Sequence, residues 1–142
     1  MTQGAIDYII QQLRTIEGIA NVSECLPFVP NLKALQEYFQ QQIQAWEVSN
    51  IAGKHTADTQ NVVQFTETLM IDGWMLYKDA TTKRQMQAII DAIKVLFAND
   101  RKLGKHVIEV KSFQLAFHQP DWFFETVFMH HCRFQFDVVV SL

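Results

Sequence analysis

Residues 43–80 read IQAWEVSNIAGKHTADTQNVVQFTETLMIDGWMLYKDA, and the change of period at their start decides the fold. Trp46 and Val48, with Asn50 as their continuation, fall on one side of an alternating segment, and Ala45, Glu47 and Ser49 fall on the other. That is the period of a β-strand. Val63, Phe65, Leu69 and Ile71 then alternate with Gln64, Thr66, Thr68 and Met70 up to Asp72, so a second long strand is expected to pair back on the first. Between them, Gly53 to Asn61 is polar and has no apolar anchor, which predicts a loop longer than the roughly two to five residues of a tight hairpin. Asp72-Gly73 is itself a hairpin signal. The segment from Trp74 to Tyr77 is too short to pair before the next helix, however, so Gly73 is expected to mark a bulge or bend that redirects Trp74.

Downstream, Thr82-Lys83-Arg84-Gln85 has the form of a capping box, and Met86, Ile89, Ile90, Ile93, Leu96 and Phe97 recur at helical spacing. A helix is predicted over about residues 82–98, stopped by Asn99 and Gly104. Two further strands are expected, Val107 to Phe117 and Phe123 to Val140, joined by a turn at His118-Gln119-Pro120-Asp121. In the last strand Phe128, His130, Cys132, Phe134, Phe136, Val138 and Val140 share one face, while Met129, His131, Arg133, Gln135 and Asp137 share the other. Upstream, Ile6, Ile9, Ile10, Leu13 and Ile16 form one stripe of a helix over about residues 4–17 that ends at Gly18. A short strand within Ile19 to Phe28 and a short helix from Asn31 to Phe39 complete the pattern. This order predicts an α+β domain over residues 1–142, a mostly antiparallel sheet with helices packed on one side.

A chain of 142 residues can bury roughly 70% of the surface it exposes when unfolded, so a sizeable core needs no staples. Eleven Phe imply that large rings fill the interior or a subunit contact. The net charge of −3 is unevenly spread: residues 1–77 hold three Lys/Arg against eight Asp/Glu, residues 78–111 eight against four, and residues 112–142 one against three. Either the predicted helix and its following loop carry a solvated basic face, or that face meets an acidic surface of another copy. Specific nucleic-acid binding is disfavoured, because the basic residues are not interleaved with aromatics in a recognisable module. Cys25 and Cys132 are far apart and form no CxxC pair, so reduced thiols are expected. Met1 to Ala5 lacks a basic stretch leading into an apolar one, and no apolar run approaches the ~18 residues of a membrane span.

Candidate chemistry is sparse. His118 and the run His130-His131-Cys132 are the possible metal ligands, but alternation sends His131 to the opposite face, leaving fewer than the three or four donors zinc takes. No metal or other cofactor is therefore expected. Cys132 lies among Phe134 and Phe136, where a thiol acts as a small hydrophobe. Glu47 and Glu67 stand on the paired strands and could approach as an acid/base pair, or be separated by solvent. No GxSxG, Walker loop, GxGxxG or HExxH occurs. The polar loop from Gly53 is either a hairpin tip or, at the end of two long strands, an element placed to reach a partner. The last strand ends Val138-Val139-Val140-Ser141-Leu142 with nothing to blunt an edge, so it is either central in the sheet or paired with another subunit.

With these residues laid out, the chain resembles the tail terminator family of long-tailed bacteriophages, small ring-forming proteins that cap the growing tail tube. The resemblance covers about residues 43–142. It rests on Ala45-Trp46-Glu47-Val48, the polar loop, Ile71-Asp72-Gly73-Trp74, Tyr77-Lys78-Asp79-Ala80, the helix with Ile89, Ile90, Ile93 and Phe97, and the closing Arg133-Phe134-Gln135-Phe136-Asp137-Val138. It implies a homohexameric ring in the virion tail, assembled in the host cytoplasm, that stops tube polymerisation and offers a surface for head completion proteins. The implied partners are other copies of the chain, the tail tube protein and a head completion or connector protein, with DNA passing through the ring unread. No catalytic residue is implied. By the same resemblance Lys54, His55, Thr56 and Asp58 would touch the last tube ring or line the lumen, and Arg84, Arg101 and Lys102 would lie near subunit contacts. The competing readings are another neck or tail component, a small cytoplasmic enzyme using His118, His130 or Glu67, and a ligand-binding α+β module.

Overall fold

The alternating segments pair into one five-stranded sheet in the computed structural model, which describes residues 2–24, 32–59, 62–124 and 127–141. In chain order the elements are α1 (Thr2–Leu13), β1 (Val22–Ser23), α2 (Leu32–Gln41), β2 (Gln44–Thr59), β3 (Val62–Leu76), α3 (Ala80–Ala98), β4 (Glu109–Phe124) and β5 (Val127–Ser141). The strands lie in the order β1-β2-β3-β5-β4. Only the two-residue β1 runs parallel to its neighbour, and the other pairings are antiparallel, as the α+β expectation requires.

The core lies between α1, α3 and one face of the sheet. Ile6, Ile9, Ile10 and Leu13 from α1 and Met86, Ile89, Ile90, Ile93 and Phe97 from α3 close over Trp46, Val48, Leu69, Ile71, Phe134, Phe136 and Val138. The large rings do go inside: Phe113 of β4 sits 5.6 Å from Phe97, 5.5 Å from Phe134 and 5.1 Å from Phe136, centroid to centroid. Helices do not keep to one side, however. α2 sets Phe39 against Ala45 and Met129, a small second cluster on the reverse face, because those residues alternate with Trp46 and His130.

Several local expectations are corrected. The stretch from Gly53 is not a loop: β2 continues to Thr59 in register with β3, Lys54 opposite Thr66 and Asp58 opposite Val63. Register shifts between Asn50 and Ala52 and between His55 and Ala57 absorb extra residues there, and backbone pairing does not need a buried face. Only Gln60 and Asn61 separate the strands, and they lie outside the described residues. Nor do His118 to Asp121 form a turn. They belong to β4 and pair with β5 from Cys132 to Met129. Pro120 is tolerated because β4 is the outermost strand, where a missing N–H leaves no neighbour unsatisfied. β5 in turn is held on both sides, by β3 and β4, so its apolar end is interior. The expected cap Asn31 and the cysteine Cys25 lie outside the described residues.

The cap of α3 also lies three residues earlier than the Thr82-to-Gln85 reading placed it, and the helix runs from Ala80 where about 82 was expected. Asp79 is the N-cap: its carboxylate accepts from the N–H groups of Thr81 (2.8 Å) and Thr82 (3.1 Å), while the Thr82 hydroxyl receives the Asp79 N–H at 3.3 Å. Thr82 is buried, so its hydroxyl turns back toward the cap. Beyond Asn99, which caps the end of the helix, Gly104 adopts φ +60°, and a Cβ there would stand 2.6 Å from the Tyr8 ring.

β3 passes straight through Asp72-Gly73, which is neither hairpin nor bulge. Gly73 is needed because the fully buried Trp46 ring crosses it: a Cβ at that position would lie 2.3 Å from the indole. The indole is held by its N–H, which donates to Gln44 Oε1 at 2.7 Å. The same oxygen accepts from the Ala20 N–H, and Gln44 Nε2 donates to the Gly18 carbonyl.

Gly73→Ala is expected to lower unfolding free energy by about 1–3 kcal/mol through overpacking against Trp46, read by urea denaturation. Asp79→Ala should cost about 1 kcal/mol, whereas Gln85→Ala, which the sequence made part of the cap, should leave the urea midpoint within the scatter of a neutral surface change.

Candidate functional site

The residues expected to meet partners do not form one patch. Lys54, His55, Thr56 and Asp58 lie in the second half of β2, opposite the first residues of β3. Only the backbone is described at these positions. β5 ends at Ser141, opposite Gln64, so from Asp58 and Val63 outward β2 and β3 pair only with each other among the described residues, as a short two-stranded arm.

Arg84 is exposed in the first turn of α3, whereas Arg101 and Lys102 follow its last turn, about 25 Å away at 1.5 Å per residue. Arg101 is a fastener of the fold. Its guanidinium donates to the Val110 carbonyl at 2.8 Å, and its own carbonyl accepts the Val110 N–H at 2.8 Å, which locks the turn after α3 onto β4. It also lines a cleft of about 390 Å³ with Lys94, Phe97 and Phe113. The basic surplus of residues 78–111 is thus strung along α3 and the turn after it, and one member, Lys111, pairs with Glu109 at 4.0 Å.

Register sets which end of the sheet each group occupies. Lys54 stands opposite Thr66, Thr66 opposite Val139, and Val139 opposite Glu109, one strand position from Val110. Arg101 therefore shares an end with the arm. Arg84, near the C-terminal end of β3, is at the other.

The proposed carboxylate pair is not formed. Glu47 lies opposite Asp72 and Glu67 opposite Gly53, well apart along the strands. Glu67 faces the helices, where its carboxylate accepts from the Thr2 hydroxyl and from Asn50 Nδ2 at 3.0 Å. Cys132 is buried between Trp46 and the β5 phenylalanines. Burial, with the Asp72 charge as a second cause, pushes its thiol well above the ordinary range. Such a sulfur stays protonated and is a poor nucleophile. Among the described residues no three His, Cys, Asp or Glu side chains come together as metal ligands. None of their helices is long and apolar enough to cross a membrane.

What the sequence reading missed is a charged cluster on the reverse face. Asp72 is 2% exposed, and its Oδ1 accepts from Arg133 Nε at 2.8 Å and lies 3.1 Å from His131 Nε2. Trp74 stacks on His131 with ring centroids 4.7 Å apart and planes 14° apart, and Phe117 meets the same imidazole edge-on at 4.8 Å. The Arg133 guanidinium carbon lies 5.4 Å from the Phe117 centroid. Further along the face, past the Met70–Gln135 pair, the Thr68 hydroxyl donates to Asp137 at 2.7 Å. Alternation had already put His131, Arg133 and Asp137 on one side of β5. The missing signal was the register that sets Asp72 opposite Arg133. Chemically the cluster is a fixed ion pair between aromatic plates, a surface feature with a rigid shape.

Comparison with family models and with curated proteins gives no match to the chain.

Asp72→Ala is expected to destabilise the fold by about 2–3 kcal/mol, since Arg133 and His131 lose their acceptor in a partly buried setting. Arg133→Lys, which keeps the charge but not the planar donor, should cost less than half as much by urea unfolding.

Proposed function

We propose that this protein is a structural assembly component that caps a phage tail tube as a ring of identical copies, ends tube polymerisation and presents a surface to a head completion protein. The observation that carries the proposal is the outer edge of β2. β1 covers only Trp46 and Glu47, and from Val48 to Thr59 no further strand pairs there among the described residues. A long open edge is an aggregation hazard for a solitary molecule and a ready joint for a repeating assembly. Ile51, at the bulge in that edge, is 50% exposed, an apolar contact at the point where another copy would add.

The arm supports the same reading. Two strands that continue past the end of β5 offer a protomer a way to touch a ring above or below it; Asp58 lies on this arm, and Lys54, His55 and Thr56 lie on the stretch of β2 that leads to it. On this proposal the chemistry is shape and charge fit, the molecule resides in the virion tail after assembly in the host cytoplasm, and DNA traverses the ring without being read. Arg84 and the Arg101–Lys102 turn, at opposite ends of α3, would serve different contacts.

The test uses purified tail tubes and electron microscopy of tube length. The protein should bind one tube end and arrest growth. Ile51→Lys, at a half-exposed position, should remain folded by circular dichroism yet lose self-association by native mass measurement and lose arrest. The double charge reversal Lys54→Glu with Asp58→Lys should weaken end binding by about tenfold or more while leaving the fold intact. Tubes that keep growing in the presence of the wild-type protein would sink the proposal.

A further inference from the structure

Two histidines meet on the helix-bearing face, where β4 and β5 run beneath the first turns of α3. His118 stands opposite Cys132, and His130 opposite Pro120, so the two are diagonal neighbours with ring centroids 5.7 Å apart. His130 is 3% exposed, and neither of its ring nitrogens has a hydrogen-bond partner among the described residues. His118 Nε2 is buried and unpartnered in the same way. An unmatched buried polar atom costs roughly 1–3 kcal/mol, so three on one patch are an expensive way to fill space.

Both imidazoles line a cleft of about 400 Å³ that is walled by Tyr77 and Phe128 and bounded on the α3 side by Lys83 and Gln87. Tyr77 packs on His130 at 4.7 Å and on Phe128 at 4.9 Å. The described lining contains no carboxylate, and the nearby Asp91 of α3 is engaged by the Gln87 amide at 2.9 Å. A cation, imidazole N–H groups and an aromatic wall, with no carboxylate among the described lining, suit a ligand that is anionic at one end and apolar at the other. A metal ion suits the site poorly, since two imidazoles fall short of a zinc set and Lys83 repels a cation.

We propose that this cleft binds a small oxyanion, a carboxylate or a phosphate, carried on an apolar body, with Lys83 supplying the charge and His118 and His130 the buried hydrogen bonds. The proposal does not depend on ring assembly. Binding is coupled to protons through the groups that face the pair. Without ligand, burial holds His130 below the usual histidine range, followed by the effects of His118 and Lys83, and burial holds His118 low, followed by Lys83 and Lys94. Tyr77 packs against His130 from the segment between β3 and α3. A bound anion offsets the lysines and favours the imidazolium, so binding takes up a proton and tightens as pH falls below about 6.5. The signs agree for the free protein: imidazoles held low contribute stability that is present above about 6.5 and is lost as pH falls through their folded values.

The test is calorimetric titration of the full chain with benzoate and, separately, with inorganic phosphate, at about pH 6 and about pH 7.5, in buffers of different ionisation heat. At least one anion should bind with net proton uptake, at least about threefold tighter at the lower pH. The anion that binds tells whether the site reads a carboxylate or a phosphate. Lys83→Gln, an exposed change, and His130→Asn should each weaken binding by about tenfold, with Lys105→Gln as an unaffected control. Three results would overturn the proposal: no binding of either anion at millimolar concentration, affinity unchanged in Lys83→Gln, or stoichiometric zinc binding that anions do not compete.

Discussion

The indole of Trp46 laid across Gly73 is the contact on which the rest of the sheet depends. One row of register partners, Val22, Trp46, Gly73, Cys132 and His118, crosses all five strands on the helix-bearing side. Only the second member is large enough to reach across its neighbour, and the third and fourth are small. The ring can therefore lie flat over β3, where α1 closes over it from above, and a single Cβ at position 73 would collide with it. Gln44 ties the indole N–H to the segment that follows α1, so the same residue that fills the core also fixes where the first helix enters. At the end of the row His118 departs from the apolar pattern, and there the packing gives way to a cleft.

The two faces of the sheet divide the work. The face under α1 and α3 is an aliphatic and phenylalanine core, broken among the described residues at the His118–His130 corner and where Glu67 meets Thr2 and Asn50. The reverse face carries α2 at one end and, beside it, an ion pair between aromatic plates, Asp72 with Arg133 and His131 flanked by Trp74 and Phe117. This polar arrangement is rigid because each member is gripped by a neighbour on the adjacent strand. The energetic interest of Asp72 lies in its desolvation: a carboxylate this buried persists only with its partners in place.

Much of this was legible in the chain. Period-two alternation placed Trp46, Val48, Leu69, Ile71, Phe134 and Phe136 on one face, and period-3.6 spacing placed the core stripes of α1 and α3, because burial enforces those periods. Punctuation was harder to read. Gly53 to Thr59 has the composition of a loop yet is strand, since a paired ribbon satisfies its backbone without an apolar face. His118 to Asp121 has turn chemistry yet is strand, since an outermost strand accepts Pro120. Thr82 looked like a cap and is instead the fourth and closing residue of a box opened by Asp79. Which residues meet across strands was not legible at all, because alternation assigns each side chain a face but leaves the register between strands open, and bulges such as those near Ile51 and Thr56 shift it further. For that reason the Asp72–Arg133 pair and the His118–His130 corner emerged only from the fold, while the Glu47–Glu67 pair dissolved.

The two hairpins have a geometric corollary. β3 and β5 are antiparallel neighbours, so the paired ends Thr59 with Val62 and Phe124 with Val127 lie at opposite ends of the sheet, roughly 50 Å apart at ~3.3 Å per residue. One end carries Asp58, with Lys54 and His55 on the strand that leads to it, and the other lies beside the imidazole corner. The molecule thus has two ends of different chemistry joined by continuous backbone hydrogen bonding. Copies stacked through these tips would inherit that polarity, and a column built from them would have unlike ends.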